Sequence, residues 1–237
     1  MSTTGAPAMA KPAKKKGVGK AKAKKQVSPA GKKLKHSAKS KSSIKDAKLK
    51  KLTLILCIFA AAAMLVIAGL YANRMLEKRT YKLLYPEEIL SGAKEYSLDP
   101  YLVAAVIQTE SSNRANVVSN KGAVGLMQIM PKTGEWIAEK IGMSDYSEDM
   151  LREPYVNIRF GCWYLRYLSD KYGGIERSIL SAYNAGPGNV DKWLSDPRYG
   201  DGKRLLDIPY KETREYVEKV SSAKEKYREL YEKELSK

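Results

Sequence analysis

The chemistry suggested by this chain starts at one acid, Glu110. It closes the run Tyr101-Leu102-Val103-Ala104-Ala105-Val106-Ile107-Gln108-Thr109-Glu110. Counting back by three, four and seven positions reaches Ile107, Val106 and Val103, so on a 3.6-residue helix the acid shares its face with apolar side chains. A carboxyl on an inward stripe has its charged form disfavoured by desolvation, which lifts its pKa toward the range of a general acid. The rival reading is a helix-ending Glu that reaches solvent or caps a neighbour. A glycine-punctuated stretch follows, Ser119-Asn120-Lys121-Gly122-Ala123 and then Gly125-Leu126-Met127-Gln128-Ile129-Met130-Pro131.

Few other reactive groups are present. The single histidine, His36, lies in a lysine-rich leader, and of the two cysteines Cys57 sits in an apolar run, leaving Cys162. A zinc site takes three or four His, Cys or carboxylate ligands, and Cys-His or Ser-His-Asp nucleophiles need a histidine base. These absences remove most peptidase and amidase chemistries and leave carboxylate acid/base work, with no cofactor implied. Cys162, within Phe160-Gly161-Cys162-Trp163, reads as a small apolar packing residue.

Four blocks occur in order: Glu110-Ser111-Ser112; Gly125-Leu126-Met127-Gln128; Ala182-Tyr183-Asn184-Ala185-Gly186-Pro187-Gly188; and Glu212-Thr213-Arg214-Glu215-Tyr216-Val217. Together they resemble the soluble-lytic-transglycosylase domain of the lysozyme-like superfamily, over roughly Pro86 to Tyr231. The resemblance implies a goose-type lysozyme fold acting on peptidoglycan glycan strands. Glu110 would protonate the glycosidic oxygen after N-acetylmuramic acid and then take the proton of the C6 hydroxyl, closing a 1,6-anhydro ring. It also implies substrate contacts from Ser119, Gln128, Met130, Tyr183, Asn184 and Tyr216. Each has a plainer alternative: Ser119 a turn serine, Gln128 a partner for core backbone, Met130 core filler, Tyr183 and Tyr216 packing tyrosines. One departure stands out. Where the family commonly has an aromatic, then Asn and Pro, this chain has Asn113, Arg114 and Ala115. A hydrolytic muramidase on the same fold and a non-catalytic wall-binding protein are the competing functions.

The elements that must position these residues are mostly helical. Residues 1–51 hold 17 lysines and one acid, Asp46, so the formal net charge of +17 is almost entirely theirs. Their composition predicts a disordered cytoplasmic tail, with anionic lipid or nucleic acid as electrostatic partners if it does more than set topology. Residues 52–72 are uncharged and long enough to span a bilayer core of about 30 Å, predicting one transmembrane helix. The preceding lysines place the N-terminus inside and the domain outside the membrane. A linker is expected over 73–84 and the lytic transglycosylase domain over 85–237. Pro86, Asp99-Pro100, Pro131, Pro154 and Lys211 open predicted helices, while the stretch around Gly122 and Gly125 predicts a small β-hairpin. The expected fold class is α+β, mostly α.

Overall fold

A computed structural model describes residues 29–236, leaving aside the side chains of 29–39 and 41. Most of the lysine tail, residues 1–28, and the lipid or nucleic-acid contacts expected of it lie outside the described residues. The chain divides into two compact units, Met1–Leu65 and Val66–Lys237. Helix α1 (Pro29–Thr80) begins in the first. Disorder was expected as far as residue 51, but the described helix starts at Pro29 and includes that lysine-rich stretch. Lys and Ala are good helix formers, and once the apolar run has nucleated a helix each added residue gains a hydrogen bond at little cost. Its large apolar side chains, including Leu56, Phe59 and Leu65, are exposed.

The second unit contains α2 (Pro86–Glu95), α3 (Pro100–Ser111), α4 (Pro131–Ile141), a 3-10 turn (Glu148–Arg152), α5 (Pro154–Lys171), α6 (Glu176–Ala185), α7 (Pro187–Ser195) and α8 (Lys211–Leu235). Proline opens α2, α3, α4, α5 and α7, where its fixed φ suits the first turn and its missing N–H would have had no partner anyway. Helix α7 was not anticipated: Pro187 reads as a turn residue in Gly186-Pro187-Gly188, yet here it starts a helix.

The α+β expectation is corrected. Among the described residues there is no β-strand, only isolated bridges joining Val118 to Val124, Val124 to Ile129 and Gly200 to Leu205. The backbone explains it. Gly122, Gly125 and Gln128 all take positive φ (86°, 83° and 50°), and these left-handed turns interrupt the backbone pairing around Val118, Val124 and Ile129 before it extends into a strand. The domain is therefore all-α, with a coiled loop where the hairpin was expected.

Helices α3 and α8 make the most extensive packing in the domain. Residues 102–107 of α3 are all buried, as are Tyr216, Val220, Ala223 and Tyr227 of α8. The α3 N-terminus is fastened at the same time: Asp99 accepts from the Tyr101 N–H at 2.9 Å and pairs with Arg228 of α8 at 2.8 Å. The C-terminal end of α1 also docks on α8. Glu77 pairs with Lys226 at 3.2 Å, and the Tyr227 and Tyr231 hydroxyls donate to the carbonyls of Lys82 (2.7 Å) and Tyr81 (2.8 Å). The segment expected to be a linker is thus part of the packed unit.

Gly125 and Gly186 separate two kinds of glycine requirement. At Gly125 a Cβ would run into the Asn157 amide and the Leu151 carbonyl. At Gly186 it would meet open space, but φ 85° and ψ 146° are essentially glycine-only. Gly186→Ala should cost about 1–3 kcal/mol from strain, and Gly125→Ala about 2–5 kcal/mol because overpacking adds to strain. Thermal melts of the full chain in detergent should rank them in that order, and the reverse ranking would contradict the close approach at Gly125.

Candidate active site

Glu110 sits on the last turn of α3, just before Ser112 and Asn113 turn the backbone left-handed (φ 52° and 63°). Asparagine tolerates that conformation better than an aromatic would. Asn113 is buried, and its amide donates to Gln108 Oε1 at 2.8 Å and to the Tyr227 hydroxyl at 3.5 Å. The departure from the family pattern is thereby accommodated: a hydrogen-bonding side chain fills this place and ties the end of α3 to α8.

The residue as a whole keeps some contact with solvent, but its carboxyl head is enclosed. That desolvation raises its pKa to about 7, and the neighbouring Tyr216 hydroxyl pulls only weakly the other way. No cation and no second carboxylate contributes. The Tyr216 hydroxyl is buried and has no hydrogen-bond partner among the described residues. It is near enough to Glu110 to favour the anion. Tyr183 completes the group. Its own ionisation is pushed far up by burial and then by the Glu110 charge, as is that of Tyr216. Two neutral phenols thus flank one acid.

The other expected residues are placed as follows. The Tyr183 hydroxyl donates to the Met127 carbonyl at 2.8 Å, and it does not bond Glu110. Asn184 Oδ1 accepts from Thr213 at 2.8 Å, joining the end of α6 to the start of α8. Ser119 closes its own turn, its Oγ accepting from the Ala123 N–H at 2.9 Å, which leaves the hydroxyl hydrogen to donate elsewhere. Gln128 donates to the Gly125 carbonyl at 2.8 Å and to that of Val117 at 3.3 Å, holding the loop's shape. Met130 is exposed at the head of α4. The structure therefore groups Glu110, Tyr183 and Tyr216 electrostatically, and holds Ser119, Gln128 and Met130 along the adjoining loop.

Asn157 was missed from the sequence. It is fully buried; its Oδ1 accepts from the Met127 N–H at 2.7 Å, and its amide donates to the carbonyls of Val124 (2.9 Å) and Leu151 (2.7 Å). It fixes the residue whose carbonyl seats Tyr183. A signal was available: Asn157 is a polar residue between Val156 and Ile158 on an apolar helix. Beside the site lies a groove of about 480 Å³ lined by Tyr81, Gln108, Thr109, Glu215 and Lys219 among others. Glu110 does not line it, so it neighbours the site without being part of it.

The sequence profile of the Transglycosylase SLT domain matches residues 87–206. The chain belongs to this family. It is 34% identical over 156 residues to the soluble lytic murein transglycosylase of Salmonella typhimurium, covering 65% of this chain and 24% of the relative. It is 37% identical over 127 residues to that of Escherichia coli, covering 52% and 20%. Among solved structures, an inactive mutant of lytic transglycosylase Slt from Pseudomonas aeruginosa superposes with a TM-score of 0.57 at 32% identity, over 63% of this chain and 25% of that one. The 70 kDa soluble lytic transglycosylase of Escherichia coli gives 0.60 at 30% identity, over 65% and 25%, and has also been solved in complex with bulgecin A. This SLT-family chain thus spans about a quarter of the length of these larger relatives.

The raised pKa of Glu110 has a consequence for stability. Below about pH 4.5 the carboxyl is protonated in both folded and unfolded states and contributes no pH dependence. Between there and about pH 7 the unfolded chain releases a proton that the folded chain retains, so stability falls as pH rises, by roughly 3 kcal/mol in total. Above that the loss is constant. Glu110→Gln should remove this slope, so the variant's melting-temperature advantage over the wild type should grow from pH 4.5 to 7 and then level off. A pH-independent gap would mean the carboxyl titrates normally.

Proposed function

We propose that this chain is a membrane-anchored lytic transglycosylase that cleaves the β-1,4 bond between N-acetylmuramic acid and N-acetylglucosamine in peptidoglycan. The observation that carries the reading is the single carboxyl at Glu110, pushed up to about 7 with no second carboxylate acting on it. Glycosidases of the common type pair two carboxylates, one as acid and one as base or nucleophile. A transglycosylase can use one acid twice. Protonated Glu110 gives its proton to the glycosidic oxygen as the bond to C1 breaks, and the substrate's acetamido oxygen steadies the cationic sugar. The C6 hydroxyl oxygen then bonds to C1, and its proton returns to Glu110. A 1,6-anhydro sugar forms, no water is consumed and the acid is regenerated.

A pKa near 7 suits both halves of that cycle, since neither protonation state is far from equilibrium at neutral pH. The phenols suit it too. The Tyr216 hydroxyl lacks a protein partner, leaving it free to donate to the carboxylate once the proton has gone or to a sugar oxygen. Tyr183 is held against Met127 and presents a neutral wall that does not compete for the proton. Asn184, Ser119, Gln128 and Met130 are the remaining groups assigned to substrate contact. In this reading the domain faces the cell wall while α1 crosses the membrane, lysine tail inward. Its support is that the stretch Ser42–Thr80 is long and apolar enough to span a bilayer, with none of that apolar window buried against protein.

Glu110→Gln keeps the shape but cannot exchange a proton, so turnover on peptidoglycan should fall by about two to four orders of magnitude. Mass analysis of wild-type digests should show muropeptides one water lighter than hydrolytic products. Reducing-end muramic acid alone would move the chain to the hydrolytic class, and a fully active Glu110→Gln would remove the acid/base role. Protease added to intact spheroplasts should digest the domain and spare the tail, whereas protection of the domain would reverse the topology.

A further inference from the structure

The foot of α1 carries more positive charge than its place calls for. Residues 73–82 contain Arg74, Lys78, Arg79 and Lys82 against one acid, Glu77. In the topology proposed above this stretch emerges on the outer side of the membrane, where Lys and Arg close to a span work against that orientation. Packing within the protein does not account for them. Among the described residues none of the four forms an ion pair. Lys78 lies over the Tyr231 ring at 5.1 Å, and Arg74 uses one donor, Nη2, on the Glu229 carbonyl at 3.3 Å. A guanidinium has five N–H groups in a fork matched to phosphate, so most of the Arg74 donors are still available.

Arg74 lines a groove of about 430 Å³ between α1 and α8. The lining is graded along α1. Ile67, Leu70 and Tyr71 come first, all largely exposed, and Asn73, Arg74 and Glu77 follow a turn or two later, with Glu229 and Leu230 opposite on α8. The apolar members belong to the uncharged run that ends at Ala72, and the polar ones lie just beyond it. Both acids are already engaged: Lys226 reaches Glu77 at 3.2 Å and Glu229 at 2.8 Å. Arg74, Lys78 and Lys226 against Glu77 and Glu229 leave the polar end net positive.

We propose that this groove seats an anionic phospholipid of the outer leaflet, with acyl chains along Ile67 and Leu70 and its phosphate on Arg74 and Lys78. The site rests on the reading that α1 crosses the membrane with the domain outside, and it is separate from the lysine leader. The chemistry selects the occupant. A soluble phosphate or an acidic peptide would meet the cations but leave Ile67 and Leu70 in water. A zwitterionic lipid would cover those side chains but bring a cation of its own to a positive site. A molecule with tails at one end and net negative charge at the other satisfies both. Lying between the two helices, it ties α8, which carries Tyr216, to the foot of α1.

The test is native mass spectrometry of the full chain in nonionic detergent, titrated in turn with phosphatidylglycerol, phosphatidylcholine and tail-free glycerol 3-phosphate. One phosphatidylglycerol should be retained more tightly than phosphatidylcholine, and glycerol 3-phosphate should not displace it. Arg74→Gln should lower the phosphatidylglycerol affinity by about 5-fold, the usual weight of one cation near an anionic surface, and leave phosphatidylcholine unchanged. Arg74→Lys, which keeps the charge, should retain most of the preference. Arg74 is exposed, so both variants should melt like the wild type. Lys50→Gln with Lys51→Gln, in the leader, should leave the tight site intact. A headgroup preference that survives both Arg74→Gln and Lys78→Gln, or that vanishes with the leader lysines, would overturn the site, as would displacement by glycerol 3-phosphate. Flotation with liposomes separates the two readings. A chain that floats but shows no Arg74-dependent preference keeps its membrane span and loses this site, whereas one that does not float loses both.

Discussion

A carboxyl group stays protonated near neutral pH only where packing keeps water from its head and no cation stands nearby to stabilise its charge. The domain is arranged to meet both conditions at Glu110. Helix α3 is buried along residues 102–107 against α8, and the groups that reach the acid from α8 and α6 are phenols. The cationic partners that fasten α3 to α8 are at the opposite end of the helix, where Asp99 holds Arg228 and Lys224. This separation matters, because a lysine or arginine beside Glu110 would stabilise its anion and draw its pKa down. The packing that holds the helices together and the electrostatics that tune the acid thus occupy different ends of one helix pair.

The second wall is held differently. The loop after α3 combines backbone hydrogen bonds of its own, such as the Gly125 N–H to the Val117 carbonyl at 2.9 Å and the reciprocal pair between Val124 and Ile129, with side-chain anchors: Asn157 from α5 and Gln128 from within the loop. Gly161 lets α5 come close to Met127, since a Cβ there would collide with the Met127 side chain. Met127 in turn offers the carbonyl that receives Tyr183. One buried amide on α5 therefore reaches the Tyr183 phenol through a single residue of the loop. Such buried polar anchors are exacting, because each unmet partner costs about 1–3 kcal/mol.

Much of this was legible in the chain. The apolar stripe ending in Glu110 and the prolines that open the helices are local signals, and local signals survive folding. What could not be read depended on tertiary context. The loop looked like a hairpin because glycines mark hairpin turns and coiled loops alike, and only the three-residue spacing of positive φ separates them. Pro187 is equally at home in a turn and at a helix start. Asn157 and Thr213 look like ordinary helix polar residues until their partners, distant in sequence, are in place.

The docked end of α1 bears on how such a domain could be moved between proteins. The family profile ends at residue 206, yet α8, which packs against the acid's helix and carries Tyr216, begins at Lys211. On the other side, Glu77, Tyr81 and Lys82 give α8 its partners from upstream of the profile's start. A gene fragment trimmed to the recognisable motif would lose the helix that shelters the acid. One trimmed at the foot of α1 would strip α8 of its hydrogen-bond acceptors. The inheritable module is larger than its signature, and recombination that respects it must carry the end of α1 along.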